Sequence, residues 1–168
     1  MMCGAELLKL PEGVQRVALF LQNSGHIQLL RMLNDAARTA QQAADALGVE
    51  LGQIAKSIIF RRKSDDAAVL VITSGDKRVD GAKVQALVCE GGTKLGRADA
   101  DFVKLKTGFA IGGVAPVVHL SEPVTLIDRE LFRFETVWAA AGHPNAVFEI
   151  SQHSLQTLTR APVANVVL

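Results

Sequence analysis

An α+β fold, with a central mixed and largely antiparallel sheet surrounded by short helices, is predicted by three observations. The elements follow in the order α, β, α, β, β, α, α, β, β, β, β, α, β. One pair of strands, Lys56 to Phe60 and Ala67 to Thr73, makes a clear hairpin, with two β-branched runs joined by a polar turn. No internal repeat, low-complexity tract or linker divides the chain, and 168 residues suit one domain, residues 1–168, with its own core.

Taken in order, Pro11 to Gln22 carries Val14, Val17, Ala18 and Leu21 at helical spacing, with Asn23-Ser24-Gly25 as a stop. Ile27 to Leu33 is short and apolar and reads as a strand, with a helix left open. Thr39-Ala40-Gln41-Gln42 matches a capping box, which predicts a helix through Leu47 that ends at Gly48. After the hairpin, whose turn is Ser64-Asp65-Asp66, Ser74 to Arg78 is a second turn. Asp80 caps a helix holding Val84, Leu87 and Val88 that ends at Gly91-Gly92, and Ala98 to Leu105 is a further short helix. The segment Thr107 to Leu120, TGFAIGGVAPVVHL, reads as a strand running into a tight loop. Strands follow at Val124 to Ile127, Phe134 to Ala140 and Ala146 to Ile150. Asp128 caps a turn, Ser151 to Leu158 is a last helix, and Val163 to Leu168 is a last strand.

Hydrophobic residues make up 49% and charged residues 21%, a globular balance that argues against extensive disorder. A formal net charge of +1 excludes gripping long nucleic acid by charge alone and leaves room for a local basic face. Cys3 and Cys89 lack the spacing of a zinc site or a disulfide framework. With no apolar segment of signal-peptide or membrane-spanning length, the expectation is a soluble, cytoplasmic protein.

The organising stretch is Thr107 to Leu120. Gly108, Gly112 and Gly113 allow positive φ and close backbone approach, and Pro116 stiffens the exit. Such a loop can aim backbone N–H groups at a ligand oxygen; a glycine-kinked corner without a ligand has the same signature. Lys56 opens a half-buried strand, where a lysine is costly unless it snorkels to water or meets a partner, so it is either a ligand-binding cation or a strand-end residue. His143 sits in the turn AGHPN, where an imidazole can meet solvent or a ligand. Arg61, Arg62 and Lys63, with Lys77 and Arg78, make either a basic rim for an RNA end or a solvated charge run. His26, His119 and His153 form no metal pattern. Trp138 and the seven Phe residues fit core packing. GxSxG, HExxH, P-loop and GxGxxG signatures are missing.

Together the segments QQAADALGVELGQIAKSIIF, VDGAKVQALV, ADADFVKLKTGFAIGGVAPVVHL and AGHPNAVFEIS resemble the YbaK/ProX family of aminoacyl-tRNA deacylases, relatives of the editing domain inserted in bacterial prolyl-tRNA synthetases. The resemblance runs from about Gln41 onward and includes the strand-opening Lys56 and the Gly-x-x-x-Pro loop Gly112 to Pro116. It implies hydrolysis in trans of mischarged aminoacyl-tRNA, most simply proline tRNA carrying alanine or cysteine. It implies Lys56, Gly112 and Gly113 as catalytic residues, and Ser57, Val114, Ala115, Pro116 and His143 as substrate-binding ones. The implied partners are the tRNA acceptor end and prolyl-tRNA synthetase; no metal or organic cofactor is implied. His143 stands where the prolyl-synthetase-like branch tends to have histidine, which favours alanine over cysteine. Val118 stands where many members have glycine, and a β-branched residue resists positive φ, which leaves the exit geometry of the loop open. A tRNA-end or amino-acid binding module without activity, and a hydrolase of another small aminoacyl ester, remain alternatives.

Overall fold

A helix forms first because the apolar spacing demands it: Val14, Val17, Ala18 and Leu21 share one face of α1 (Glu12–Asn23), and all four are buried. The computed structural model of the chain describes residues 8–26, 30–34 and 39–168. The strand expected from Ile27 is seen as β1 (Leu30–Met32); residues 27–29 lie outside the described residues. The capping box is present at α2 (Ala40–Leu47). Thr39 Oγ1 accepts the Gln42 amide and Gln42 Oε1 accepts the Thr39 amide, each at 3.1 Å, while Gly48 closes the helix at φ 71°.

The hairpin is β2 (Ile54–Arg62) and β3 (Ala67–Ser74), paired from Ala55↔Ser74 to Arg62↔Ala67. All of β3 beyond Ala67 is buried, as expected for a strand covered on both faces. Asp80 caps α3 (Gly81–Val88) by accepting the Ala82 amide at 3.0 Å. This helix stops at Val88 rather than at the glycine pair, because Cys89 is already extended, and Gly91-Gly92 turn the chain beyond it. A strand the sequence did not announce, β4 (Leu95–Arg97), then pairs with the end of β2. The next helix, α4 (Ala100–Thr107), starts two residues later than the spacing suggested. Asp99 is its cap, accepting the Phe102 amide at 2.8 Å, and Gly108 ends it at φ 80°.

The segment from Thr107 to Leu120 contains no strand; it is a closed loop, described below. Then come β5 (Val124–Asp128), a 3-10 turn (Arg129–Arg133), β6 (Thr136–Ala140), β7 (Ala146–Ser151), α5 (Gln152–Thr159) and β8 (Val163–Ala164). The expected last strand through Leu168 is cut to two residues and a bridge between Val167 and Val79. Asp128, fully buried, fixes this corner by accepting the Val166 and Glu130 amides at 3.0 Å each.

The eight strands form one mixed sheet in the order β1-β7-β6-β2-β3-β5-β8, with β4 beside β2. Pairings β2/β6, β3/β5 and β5/β8 are parallel and the rest antiparallel. One face carries Ala55, Leu70, Ile72, Ile127 and Phe148 and packs with α1 and α5. On the other face α2 covers Ile54, Trp138 and Val147, while α3 covers Val69, Val71 and Leu126.

The sheet is interrupted beside β2. Its partner β6 pairs only at Ile54 and Ala55, and β4 only from Phe60 to Arg62, so among the described residues Lys56 to Ile59 have no neighbouring strand on that side. The Lys63 amide bonds the Lys94 carbonyl on the β4 side, and the two-residue alternation of an antiparallel strand therefore turns the main-chain groups of Ser57 and Ile59 toward the gap.

Candidate active site

The gap in the sheet opens onto a cavity of about 330 Å³. Its floor is the start of β2, including Lys56, Ser57 and Ile58; Thr39 and Ala43 of the α2 segment and Trp138 of β6 wall one side, and Ile111, Gly112, Val114 and Pro144 the other. Lys56 lies opposite Thr73. Burial holds its ammonium below the usual lysine range, and Asp76 opposes that shift in part. Among the described residues no carboxylate lines the cavity. Ser57 Oγ is buried at the cavity with no hydrogen-bond partner among the described residues. A hydroxyl desolvated in this way is costly until something bonds it.

The glycine loop is tied shut at its neck. The Leu120 amide donates to the Thr107 carbonyl at 3.2 Å, and the Ser121 amide donates to the Lys106 carbonyl at 2.8 Å. Inside the loop the Gly113 amide donates to the Ala110 carbonyl at 3.0 Å, and His119 Nε2 donates to the Ala115 carbonyl at 2.7 Å. Burial keeps the His119 pKa below its ordinary value; its bond to the Ala115 carbonyl pulls the other way and the nearby Arg16 charge adds to the lowering. Gly113 must be glycine for a steric reason: a Cβ there would lie 2.8 Å from the Cα and carbonyl carbon of His143. The loop and the Gly142–Asn145 turn therefore pack backbone on backbone. His143 serves that turn through its own ring, with Nδ1 accepting the Asn145 amide at 3.1 Å.

Val118 does take positive φ, at 65°. The loop exit thus keeps the left-handed geometry that glycine would adopt freely, at a strain of about 1–3 kcal/mol for a β-branched residue.

Comparison with known proteins gives the site its context. The family profile for the aminoacyl-tRNA editing domain matches residues 34–158. The chain belongs to the aminoacyl-tRNA editing domain family. The activity that goes with this membership is aminoacyl-tRNA deacylation. The chain is 33% identical over 128 residues to the Bacillus subtilis protein YwhH, covering 76% of this chain and 79% of that one. It is 31% identical over 105 residues to the proline–tRNA ligase of Maridesulfovibrio salexigens, covering 62% of this chain and only 17% of the ligase. A solved structure described as a candidate trans-editing enzyme for prolyl-tRNA synthetase superposes with a TM-score of 0.87 at 37% identity, covering 95% of this chain and 99% of that one.

Within this editing domain the structure brings Lys56, Ser57, Gly112 and Val114 to one cavity. Gly113, Ala115, Pro116 and His143 are not among its lining residues. Gly113 and His143 form the packed seam behind the rim, Ala115 is fully buried, and Pro116 faces a separate groove with Val117 and Leu126. The Gly113 amide is already bonded to Ala110, whereas those of Gly112 and Val114 have no partner among the described residues. Sequence reasoning missed Thr39, Ile111, Trp138 and Pro144 as lining residues. Thr39 was legible only as a helix cap and Trp138 only as core, where it is indeed nearly buried. The basic run is largely self-neutralised: Arg61 pairs with Asp66 and Arg62 with Asp65, each at 2.8 Å, and the Arg62 guanidinium holds the Asp65 carboxyl down at about 2. Among the described residues no group of His, Cys, Asp and Glu could hold a metal, and no helix is long and apolar enough to cross a membrane.

Proposed function

We propose that this editing domain acts in trans on proline tRNA that carries a small non-cognate amino acid, alanine or cysteine, and hydrolyses the ester at the terminal ribose. The observation that carries this reading is the convergence of Lys56, Ser57 with its unpartnered hydroxyl and Gly112 with its unpartnered amide on one small, mostly apolar cavity that no carboxylate lines among the described residues. At about 330 Å³ the cavity lies at the small end of the usual range for ligand sites, roughly 300–1,000 Å³. A substrate with a phosphate and a positively charged α-amino group suits a site that offers a lysine and a hydroxyl.

In this reading Lys56 binds the terminal phosphate and places the ester over the rim. The aminoacyl ester is already activated, so the attacking oxygen comes from a water oriented by the neighbouring ribose hydroxyl, and no nucleophilic side chain is needed. As it adds to the ester carbonyl, the oxyanion forms where the Gly112 and Val114 amides donate; collapse expels the ribose oxygen, which takes up a proton. The Ser57 hydroxyl and outward-facing main chain receive the amino group, while Trp138, Ile58 and Val114 limit the side chain. Apolar walls discriminate by about 10- to 200-fold per methylene, enough to spare larger residues in part and to leave the rest to tRNA recognition. Val118 in the left-handed region supports an active loop over a binding module that has lost activity, because the exit geometry is retained despite the substitution.

The test is the hydrolysis of proline tRNA charged in turn with alanine, serine, cysteine and proline. Fast loss of alanine or cysteine with prolyl-tRNA spared is the expected result. Equal rates for all four, or none above the uncatalysed background, would overturn the reading.

A further inference from the structure

Arg16 projects from α1 and makes no salt bridge to a carboxylate among the described residues. Its guanidinium goes instead to the glycine loop. Nη2 donates to the Thr107 carbonyl at 3.3 Å and to the Val118 carbonyl, and the group lies over the Phe109 ring with Cζ 4.5 Å from its centroid. Thr107 and Val118 stand at the two ends of the loop, so one side chain bridges its entry and its exit. Gly108 makes the approach feasible, since a Cβ there would lie 2.4 Å from Arg16 Nη1. Three residues earlier on the same helix face, Gly13 abuts Gly142, and a Cβ on Gly13 would lie 2.4 Å from the Gly142 carbonyl oxygen. A single helix thus touches both segments that frame the site.

We propose that Arg16 is a positioning residue: it holds Val118 in the left-handed conformation and thereby keeps the Gly112–Val114 rim in the shape that hydrolysis requires. Val118 has its own reason to leave that conformation. The Arg16 bond to the Val118 carbonyl opposes this, and the stacking on buried Phe109 fixes the guanidinium in place. The link from exit to rim is short, because the His119 ring bonds the Ala115 carbonyl and ties the residue after Val118 to the residue after Val114. The inference rests on the role given above to the loop in hydrolysis.

The experiment compares wild type, R16M, R16K, V118G and the R16M/V118G double variant, each checked for folding by circular dichroism. Steady-state hydrolysis of alanyl- and cysteinyl-tRNA for proline is measured together with hydrogen exchange of the loop amides. R16M is expected to lower kcat by roughly 5- to 30-fold with a smaller change in KM. R16K should fall with it, since an ammonium lacks the planar group that stacks on the Phe109 ring while its edge donates to the loop carbonyls. Glycine at 118 needs no clamp, so R16M/V118G should recover most of the loss, a rescue that a merely structural arginine would not give. Exchange at residues 112–115 should quicken in R16M and slow again in the double variant. Wild-type kcat in R16M, or a double variant no better than R16M, would overturn the proposal. Unchanged exchange in R16M would overturn it too, and this holds even if the wild type hydrolyses none of the charged tRNAs, an outcome that would sink the functional reading by itself.

Discussion

Gly113→Ala isolates the contact between the two segments that frame the cavity. Gly113 has no positive φ to lose, so the added methyl acts through space alone. Its Cβ would lie 2.8 Å from two His143 backbone atoms and 2.9 Å from the Pro144 nitrogen, and ordinary contact begins near 3.4 Å. All three obstacles are backbone, so no rotamer change relieves them and the loop must back away from the turn. Overpacking of this kind costs about 1–3 kcal/mol, which for a chain of this length corresponds to a fall in Tm of roughly 2–12 °C. The displaced rim carries Gly112, and misplacing reacting groups by about 1 Å can cost around 100-fold in rate. The assay is kcat for deacylation beside a thermal melt, with Gly91→Ala as the control. Gly91 sits at φ 58° with open space around it, so alanine there strains the backbone far from the site. A Gly113→Ala enzyme that keeps the wild-type rate, or a Gly91→Ala enzyme that loses as much activity for the same loss of Tm, would refute the claim that this seam positions the rim.

Removing the cation with Lys56→Ala should abolish most deacylation while leaving the melting temperature equal or higher, because a partly desolvated ammonium is lost; an unchanged rate would take Lys56 out of the mechanism. Thr39→Ala removes the capping box and should destabilise α2 by about 0.5–2 kcal/mol, read as a lower Tm and, since Thr39 also lines the cavity, a higher KM. His119 has a folded pKa below its ordinary 6.5, so between the two values the unfolded chain binds more protons and stability rises with pH. Acidification through that window should therefore lower Tm, and His119→Phe should flatten the profile; an identical slope in the variant would refute the assignment.

Much of this fold was legible because local signals and tertiary structure agree. The Thr39 capping box, the β2/β3 hairpin and the Val14–Leu21 face each write their structure in consecutive residues. Signals failed where a partner far along the chain decides the outcome. Leu95–Arg97 is a strand only because the end of β2 is there to pair with it, and Leu-Gly-Arg has no strand pattern of its own. The Thr107–Leu120 segment is apolar like a strand yet makes none, since its neck bonds and the packing of Gly113 on His143 hold it as a loop. Lys56 and Gly112 could be picked out from residue type and placement. The places of Thr39 and Trp138 in the cavity wall, and the contact of Arg16 with the loop, depend on neighbours far along the chain that no local spacing records.

Among the described residues no strand pairs with Lys56–Ile59 on the side of the gap. A sheet edge with free main-chain donors and acceptors invites any extended peptide to add to it, including the same segment of a second molecule. Here that invitation is built into the cleft itself, and the charged Lys56 at the head of an edge that also holds Ile58 and Ile59 is what discourages a foreign strand from settling. Variants that neutralise it, or that make the cleft more apolar in search of a new substrate, trade catalytic interest against colloidal behaviour. Such variants call for a light-scattering measurement alongside every rate.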